Sequence, residues 1–176
     1  VSAGRIIARK ADLSVESAGA VFCETMNQVA IQIGADNTHF CVPDGYHDDN
    51  HYTTAEDMLR IALYARSVQE IRDIAATSYV KAQFIQGGAA DWNNSNLLIV
   101  PTSNYYYPYA NGLKTGMTNM AGHCVVATAQ YDGKELVAVV LGGSTSVNRW
   151  VDAINLFNSG FEYLLGDKFT PYLPNA

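Results

Sequence analysis

The 176-residue chain is 48% apolar and 16% charged, a composition that supports an ordinary globular core and excludes extended disorder. The 11 Lys and Arg residues against 17 Asp and Glu residues give a net charge of −6, and no basic cluster offsets it, so nucleic acid is not an expected partner. The apolar stretches are the size of strands and fall short of the roughly 20 residues that a membrane-spanning helix needs.

The first half of the chain predicts helices. Apolar residues at helical spacing predict a helix over residues 14–34, which Gly34 ends. The sequence from Thr53 to Glu56 has the form of a capping box and predicts that a second helix begins there, with Thr53 as its N-cap. A short helix is predicted over residues 68–76.

The second half of the chain predicts β structure followed by a helix. Residues 79–110 show a weaker pattern, which predicts loops. Two strand-like segments, 123–131 and 134–142, are joined by Asp132-Gly133, a two-residue hairpin signal. The last helix carries an apolar stripe that ends at Gly166. Its predicted members are Trp150, Ile154, Phe157, Phe161 and Leu164.

The order of helices, hairpin and helix predicts an α+β fold with an antiparallel sheet flanked by helices. We expect one domain over residues 1–165 and a tail over residues 166–176. Residues 1–5 contain neither an initiator Met nor the apolar segment of a signal peptide, so we expect a fragment or a processed product.

The three cysteines, Cys23, Cys41 and Cys124, are widely spaced and form no CxxC pair. This arrangement favours buried free thiols over a disulfide scaffold or a structural zinc site.

The first candidate for chemistry is the segment Gly112-Leu113-Lys114-Thr115-Gly116, at the entry to the predicted hairpin. It places an ammonium group, a hydroxyl group and a bare backbone in succession. The missing side chain of Gly116 would let a ligand approach the strand closely. A Lys-Thr-Gly tripeptide alone is also typical of a boundary between a turn and a strand.

A second candidate, the pair His47 and His51, is interpreted as structural. His47 and His51 offer nitrogen ligands to a metal, but Pro43 and Gly45 indicate a loop, and a His pair at this spacing shares a face only on a helix. We therefore expect no metal there, although a metal-dependent hydrolase stays an alternative.

Two segments match serine acyl-transferase motifs by spacing alone. Ser78-Tyr79-Val80-Lys81 fits SxxK and Ser146-Val147-Asn148 fits SxN. The SxxK motif needs a helix to bring the amine to the hydroxyl, whereas Ser78 follows the end of a predicted helix. Both segments also stand in the wrong order relative to Lys-Thr-Gly, so we interpret both as chance matches.

From about Phe22 to Phe161 the chain resembles the low-molecular-weight penicillin-binding proteins, the serine D-alanyl-D-alanine carboxypeptidases. The order and spacing of many short segments carry the resemblance. These segments are Met26-Asn27, Thr38-His39-Phe40, Pro43-Asp44-Gly45, His51–Met58, Asn94–Leu98, Gly112–Thr118, Ala121-Gly122-His123, Val139–Gly143 and Arg149.

The resemblance implies a penicillin-binding-protein/β-lactamase-like fold that lacks its N-terminal part. The family has three motifs, in the order SxxK, SxN and KTG, and the third corresponds to Lys114-Thr115-Gly116. The first lies upstream of the matching region, so the nucleophilic Ser is expected to be absent. Ser2-Ala3-Gly4 stands near the place of SxN but has Gly where the motif has Asn.

In the family's reaction, a Ser attacks the peptide bond between terminal D-alanines of peptidoglycan stem peptides, and β-lactams mimic that dipeptide. The resemblance implies that Lys114 supplies positive charge, that Thr115 donates to the substrate carboxylate and that Gly116 leaves room. Arg149 would anchor the same carboxylate; the alternative is a solvated Arg at a helix start. No cofactor is implied, and the implied location is the bacterial cell envelope, outside the cytoplasm.

These observations leave two main alternatives for function. The chain is part of a D,D-carboxypeptidase, inactive in isolation, or it is a non-catalytic module that binds cell-wall peptides. In either case, the absence of the family's N-terminal strands predicts an unpaired strand edge, an uncovered apolar surface and self-association.

Overall fold

A computed structural model of the chain describes residues 15–85 and 87–173, with side chains from Ser17 onward. The segment Ser2-Ala3-Gly4 therefore lies outside the described residues. The chain divides into two compact units, one up to Tyr64 and one from Ala65.

The described residues form four α-helices and five strands, which confirms the predicted α+β class. The helices are α1 (Val15–Gln32), α2 (Ala55–Arg66), α3 (Gln69–Ala75) and α4 (Ser146–Leu165). The strands are β1 (Tyr79–Gln83), β2 (Ala89–Asn93), β3 (Ala110–Thr118), β4 (Gly122–Tyr131) and β5 (Lys134–Gly143). Two short 3₁₀ helices span Leu97–Ile99 and Gly166–Lys168.

The start of α2 differs from the predicted capping box by one residue. The hydroxyl of Thr54, not that of Thr53, accepts a hydrogen bond from the backbone N–H of Asp57 at 3.1 Å. Thr53 instead forms a hydroxyl–hydroxyl contact of 2.9 Å with Thr38. The prediction of Thr53 as N-cap was wrong because two adjacent Thr residues offer the same capping chemistry, and contact with Thr38 engages the first of them.

Strands β1 and β2 form an antiparallel hairpin in a part of the sequence where we predicted loops. Tyr79 pairs with Asn93 at one end, and Gln83 pairs with Ala89 at the other. None of the ten strand residues is buried: eight are exposed, and Ala82 and Ala90 are partly covered. The hydrophobic alternation that identifies a half-buried strand is therefore missing from these residues.

Strands β3, β4 and β5 form a second antiparallel sheet in that order. The predicted turn between β4 and β5 is confirmed, with Asp132 at φ 46° and Gly133 at φ 71°. Two consecutive positive φ values are the geometry of a type I′ hairpin turn, which Asp-Gly favours. Because β4 is central, the strand that carries Lys114-Thr115-Gly116 lies at one edge of the described sheet.

Helix α4 packs on this sheet and builds the core of the second unit. Trp150, Ile154, Phe157 and Phe161 are buried as predicted. Leu164 is 46% exposed, so that member of the stripe was wrong. Leu165 packs against the core instead, because the fourth residue after Phe161 is also a same-face position.

The segment after Gly166, which we predicted to be a tail, also contributes to the core. Phe169 is buried there, with its ring centroid 5.3 Å from that of Phe161. The amide of Asn158 donates to the carbonyl of Tyr172 at 2.9 Å and thereby fixes the chain that follows.

The cysteines are free thiols, but only one of the three is buried. Cys23 is buried, whereas Cys41 and Cys124 are partly exposed, so the expectation of three buried thiols was wrong for two. Burial is the main cause that raises the pKa of the Cys23 thiol, which keeps it protonated at neutral pH. Among the described helices, none is long and apolar enough to cross a lipid bilayer.

Self-association stays a prediction. In the described sheet β5 pairs with β4 alone, so its other edge offers unpaired backbone groups to a second chain. We expect sedimentation velocity to show a species larger than one chain, in an amount that rises with concentration. A stable monomer at all concentrations would contradict this prediction.

Candidate functional site

The Lys-Thr-Gly segment lies on the edge strand β3, in register with the centre of β4. Lys114 pairs with Val126, Thr115 with Val125 and Gly116 with Cys124. Lys114 and Gly116 are exposed and Thr115 is half-buried. The Lys114 Nζ donates to the carbonyl of Thr115 at 2.6 Å, which holds the ammonium group beside the strand.

Arg149 projects from the first turns of α4 towards the same strand. Its Nη1 donates to the carbonyl of Gly116 at 3.2 Å and to that of Cys124 at 3.4 Å. The guanidinium carbon lies 4.3 Å from the ring centroid of Trp150. Burial lowers the pKa of the Arg149 guanidinium from its ordinary value, although an Arg keeps its charge at any physiological pH. Arg149 is therefore partly buried and bonded to the strand, while its role in binding a carboxylate stays a prediction.

Ser95 is a further member of this site, and we did not predict it. Its hydroxyl oxygen lies 2.6 Å from that of Thr115, and either group can be the donor. Ser95 is exposed, so the pair of hydroxyl groups borders solvent. The only sequence signal for it was its place in the Asn94–Leu98 segment, which belongs to the resemblance.

Asn94 and Asn96 hold the backbone of Ser95 on both sides. The Asn94 amide donates to the carbonyls of Ala75 at 3.3 Å and Thr77 at 3.1 Å. Its Oδ1 accepts from the backbone N–H of Asn96 at 2.9 Å. Asn96 is fully buried, and its amide donates to the carbonyl of Gly112 at 2.8 Å. Residue 95 is thus fixed against the strand that carries Thr115.

The hydrogen bonds that Lys114, Thr115, Ser95 and Arg149 form in this arrangement involve no side chain of the two motif matches that we interpreted as chance. Ser78 occupies a bend before β1, and Lys81 lies within β1 opposite Asp91. Ser146 opens α4, where the Asn148 side chain donates to the Ser144 hydroxyl at 3.0 Å. None of these contacts brings a serine hydroxyl against a lysine amine.

The two His residues considered as metal ligands have separate contacts. The Nε2 of His47 lies 3.1 Å from Asp49 Oδ1, and the Nδ1 of His51 accepts from the Cys41 backbone N–H at 3.2 Å. Burial is the main cause that lowers the pKa of His51, so its ring is neutral at pH 7. No group of three or more metal-ligating side chains occurs among the residues that the structure describes.

The edge of β3 therefore combines three features suited to one kind of ligand. Its outer backbone groups can pair with an extended peptide. Lys114 and Arg149 contribute positive charge, and the Ser95 and Thr115 hydroxyl groups contribute donors. A peptide that ends in a carboxylate has both an extended backbone and an anionic end, so it matches this edge chemically.

Residues 13–145 match the model of a protein family described as D-alanyl-D-alanine carboxypeptidase. The chain belongs to the D-alanyl-D-alanine carboxypeptidase family. The D-alanyl-D-alanine carboxypeptidase DacA of Haemophilus influenzae is 34% identical over 143 residues, which are 80% of this chain and 34% of that protein. The Escherichia coli DacA is 32% identical over 144 residues, covering 81% of this chain and 33% of its own length.

Solved structures of a DD-transpeptidase and of a penicillin-binding protein share the fold. The Streptomyces K15 DD-transpeptidase superposes with a TM-score of 0.77 at 29% identity, over 84% of this chain and 56% of that one. Penicillin-binding protein D2 of Listeria monocytogenes, in its cefotaxime-bound form, gives a TM-score of 0.70 at 27% identity, over 81% of this chain and 56% of that one. The predicted penicillin-binding-protein-like fold is thus confirmed.

This member of the D-alanyl-D-alanine carboxypeptidase family spans about a third of the length of these two DacA proteins. The match to the family model includes Ser95 and Lys114-Thr115-Gly116, whereas Arg149 lies four residues past its end.

Proposed function

We propose that this chain is the C-terminal, KTG-bearing part of the catalytic domain of a serine D-alanyl-D-alanine carboxypeptidase, which trims peptidoglycan stem peptides through an acyl-enzyme. In this role the edge of β3 binds the C-terminal D-alanyl-D-alanine of the peptide. The corresponding location is the bacterial cell envelope, outside the cytoplasm, and β-lactams are the expected inhibitors of the complete enzyme.

One observation carries the proposal: Lys114-Thr115-Gly116 lies on an exposed strand edge, and the guanidinium of Arg149 bonds to that strand. The substrate peptide pairs with the outer backbone groups of β3 as a further strand, and this hydrogen bonding aligns the peptide. Thr115 donates to the terminal carboxylate, and Lys114 and Arg149 offset its charge. Gly116 has no Cβ, so the substrate backbone can approach the strand there.

The roles divide by geometry. The Arg149 Nη1 is bonded to two carbonyls, so Arg149 both positions the strand and contributes charge. The Lys114 ammonium group is exposed, so it is free to move from the Thr115 carbonyl to a bound carboxylate. A ligand carboxylate is the stronger acceptor because it is charged.

Titration of the ¹⁵N-labelled chain with N-acetyl-D-alanyl-D-alanine tests this proposal. We expect saturable shifts of the backbone amides of residues 112–118, and weaker or no shifts with the L,L dipeptide. Lys114→Gln should weaken binding of the D,D dipeptide about fivefold, the size of one exposed charge interaction. The matched control is Lys134→Gln, which removes the same charge at the start of β5 and should leave the affinity unchanged.

Two results would contradict the proposal. One is the absence of shifts in residues 112–118 up to millimolar peptide. The other is equal affinity for the D,D and L,L dipeptides, since the site would then not recognise the configuration that defines the substrate.

A further inference from the structure

Two hydroxyl groups meet at the open edge of β3, and only one of them has a role in the proposed function. The Ser95 and Thr115 hydroxyl oxygens are 2.6 Å apart, which is a short and strong hydrogen bond. Ser95 is exposed and Thr115 is half-buried, so a ligand that reaches Thr115 also passes Ser95.

The position of Ser95 is fixed by the asparagines on either side of it. The Asn94 side chain bonds to the carbonyls of Ala75 and Thr77, and the buried Asn96 side chain bonds to the carbonyl of Gly112. These contacts immobilise the backbone of residue 95. A serine on a fixed backbone has three staggered side-chain rotamers, and the contact with Thr115 selects one of them.

The proton count of the two hydroxyl groups sets the direction of the hydrogen bond. Each hydroxyl group has one proton and two acceptor lone pairs. Thr115 can donate to a carboxylate only when its single proton is not given to Ser95. With a carboxylate bound, Ser95 must therefore donate to Thr115, and Thr115 donates onward to the ligand.

We propose that Ser95 is a positioning residue that orients the Thr115 hydroxyl as a donor and so makes the site selective for peptides with a free terminal carboxylate over peptides with an amidated terminus. This inference rests on the proposed function of the β3 edge. When Ser95 donates to Thr115, it polarises the Thr115 hydroxyl group and makes it a stronger donor. A charged carboxylate gains more from a stronger donor than the neutral oxygen of a terminal amide does. Ser95 thereby acts through Thr115.

The test compares the affinities of the 176-residue chain for N-acetyl-D-alanyl-D-alanine and for its C-terminal amide, measured by the same amide-shift titration. For the unmodified chain we expect tighter binding of the free acid. Ser95→Ala should weaken binding of the acid about fivefold, the net contribution of one hydrogen bond, and leave binding of the amide nearly unchanged. The acid-to-amide affinity ratio therefore falls, whereas a purely structural role would lower both affinities alike.

Two variants test the route through Thr115. Ser95→Thr keeps the hydroxyl group and should retain the affinity ratio. In a Thr115→Val background, Ser95→Ala should have no further effect, because Ser95 has no donor left to orient. Ser103→Ala is the matched control, since it removes a serine hydroxyl that bonds to the Tyr105 backbone N–H rather than to Thr115. The thermal midpoint of Ser95→Ala should equal that of the unmodified chain, because the side chain is exposed.

The outcomes separate this inference from the proposed function. If the unmodified chain prefers the free acid and Ser95→Ala keeps that preference, the inference is wrong and the proposed function stands. Equal loss of acid and amide affinity in Ser95→Ala would also overturn it. If the unmodified chain binds neither peptide, or both equally, the proposed carboxylate site is wrong and the inference falls with it.

Discussion

We expect the 176-residue chain to stay unlabelled after incubation with a fluorescent penicillin. Ser78-Tyr79-Val80-Lys81 is the one SxxK match in the sequence, and the structure places Ser78 before β1 and Lys81 within it. Three residues of extended chain span about 10 Å, roughly twice the rise of a helical turn, so the Lys81 amine is not brought to the Ser78 hydroxyl.

We expect the effect to be large because acylation of Ser78 would proceed without a general base and without positioned oxyanion donors. An unactivated serine is a weak nucleophile, and general-base assistance contributes about 10²–10⁴-fold in rate. Positioned donors for the developing oxyanion contribute a further factor of about 10²–10³. Together these factors put acylation of Ser78 beyond the time of an ordinary labelling experiment.

Intact-mass spectrometry of the chain after incubation measures this result directly. The positive control is a longer product of the same gene that contains an upstream SxxK helix, which the carboxypeptidase proposal requires to be labelled. An adduct on this chain that disappears in Ser78→Ala would contradict the prediction and make Ser78 a nucleophile. Absence of labelling in the longer product would favour the alternative of a non-catalytic module that binds cell-wall peptides.

The sequence predicted the elements whose apolar residues face one core. The α4 stripe and the β4–β5 hairpin follow helical and strand periods, and both were confirmed, apart from Leu164. The hairpin of β1 and β2 was missed because both of its faces are exposed. Its sequence therefore lacks the alternation of apolar and polar residues that identifies a half-buried strand. The N-cap of α2 shows a similar limit. The sequence predicts a Thr N-cap, but only the tertiary contact of Thr53 with Thr38 decides that Thr54 forms it.

The candidate site was predictable only in part, for a related reason. The resemblance identified Lys114-Thr115-Gly116 and Arg149, and the structure brings these residues together at β3. Ser95 is 20 residues from Thr115 in sequence, and Asn96 is 16 from Gly112. A periodic sequence pattern reports only neighbours within one helix or strand. The contacts of Ser95 with Thr115 and of Asn96 with Gly112 depend instead on how the chain between them folds back.

Asn96→Ala should lower the free energy of unfolding by about 3–4 kcal/mol, the second large effect that the structure predicts. Asn96 has no exposed surface, and its side chain serves two buried backbone groups at once. Its amide donates to the Gly112 carbonyl at 2.8 Å, and its Oδ1 accepts from the Leu98 N–H at 3.2 Å. Truncation leaves both groups unpaired, and each unpaired buried group costs about 1–3 kcal/mol.

Urea unfolding followed by circular dichroism measures this loss, and Asn93→Ala is the matched control. Asn93 is exposed, so truncating its amide should change the stability by less than about 0.5 kcal/mol. Hydrogen exchange measures the local effect. Gly112, whose carbonyl Asn96 bonds, lies in β3 just before Lys114 and Thr115, so loss of that bond should loosen this part of the strand. We expect the amides of β3 to lose protection in Asn96→Ala by more than those of β5. Equal stabilities of the two variants would show that the Gly112 and Leu98 groups find other partners, and that Asn96 does not hold the edge strand in place.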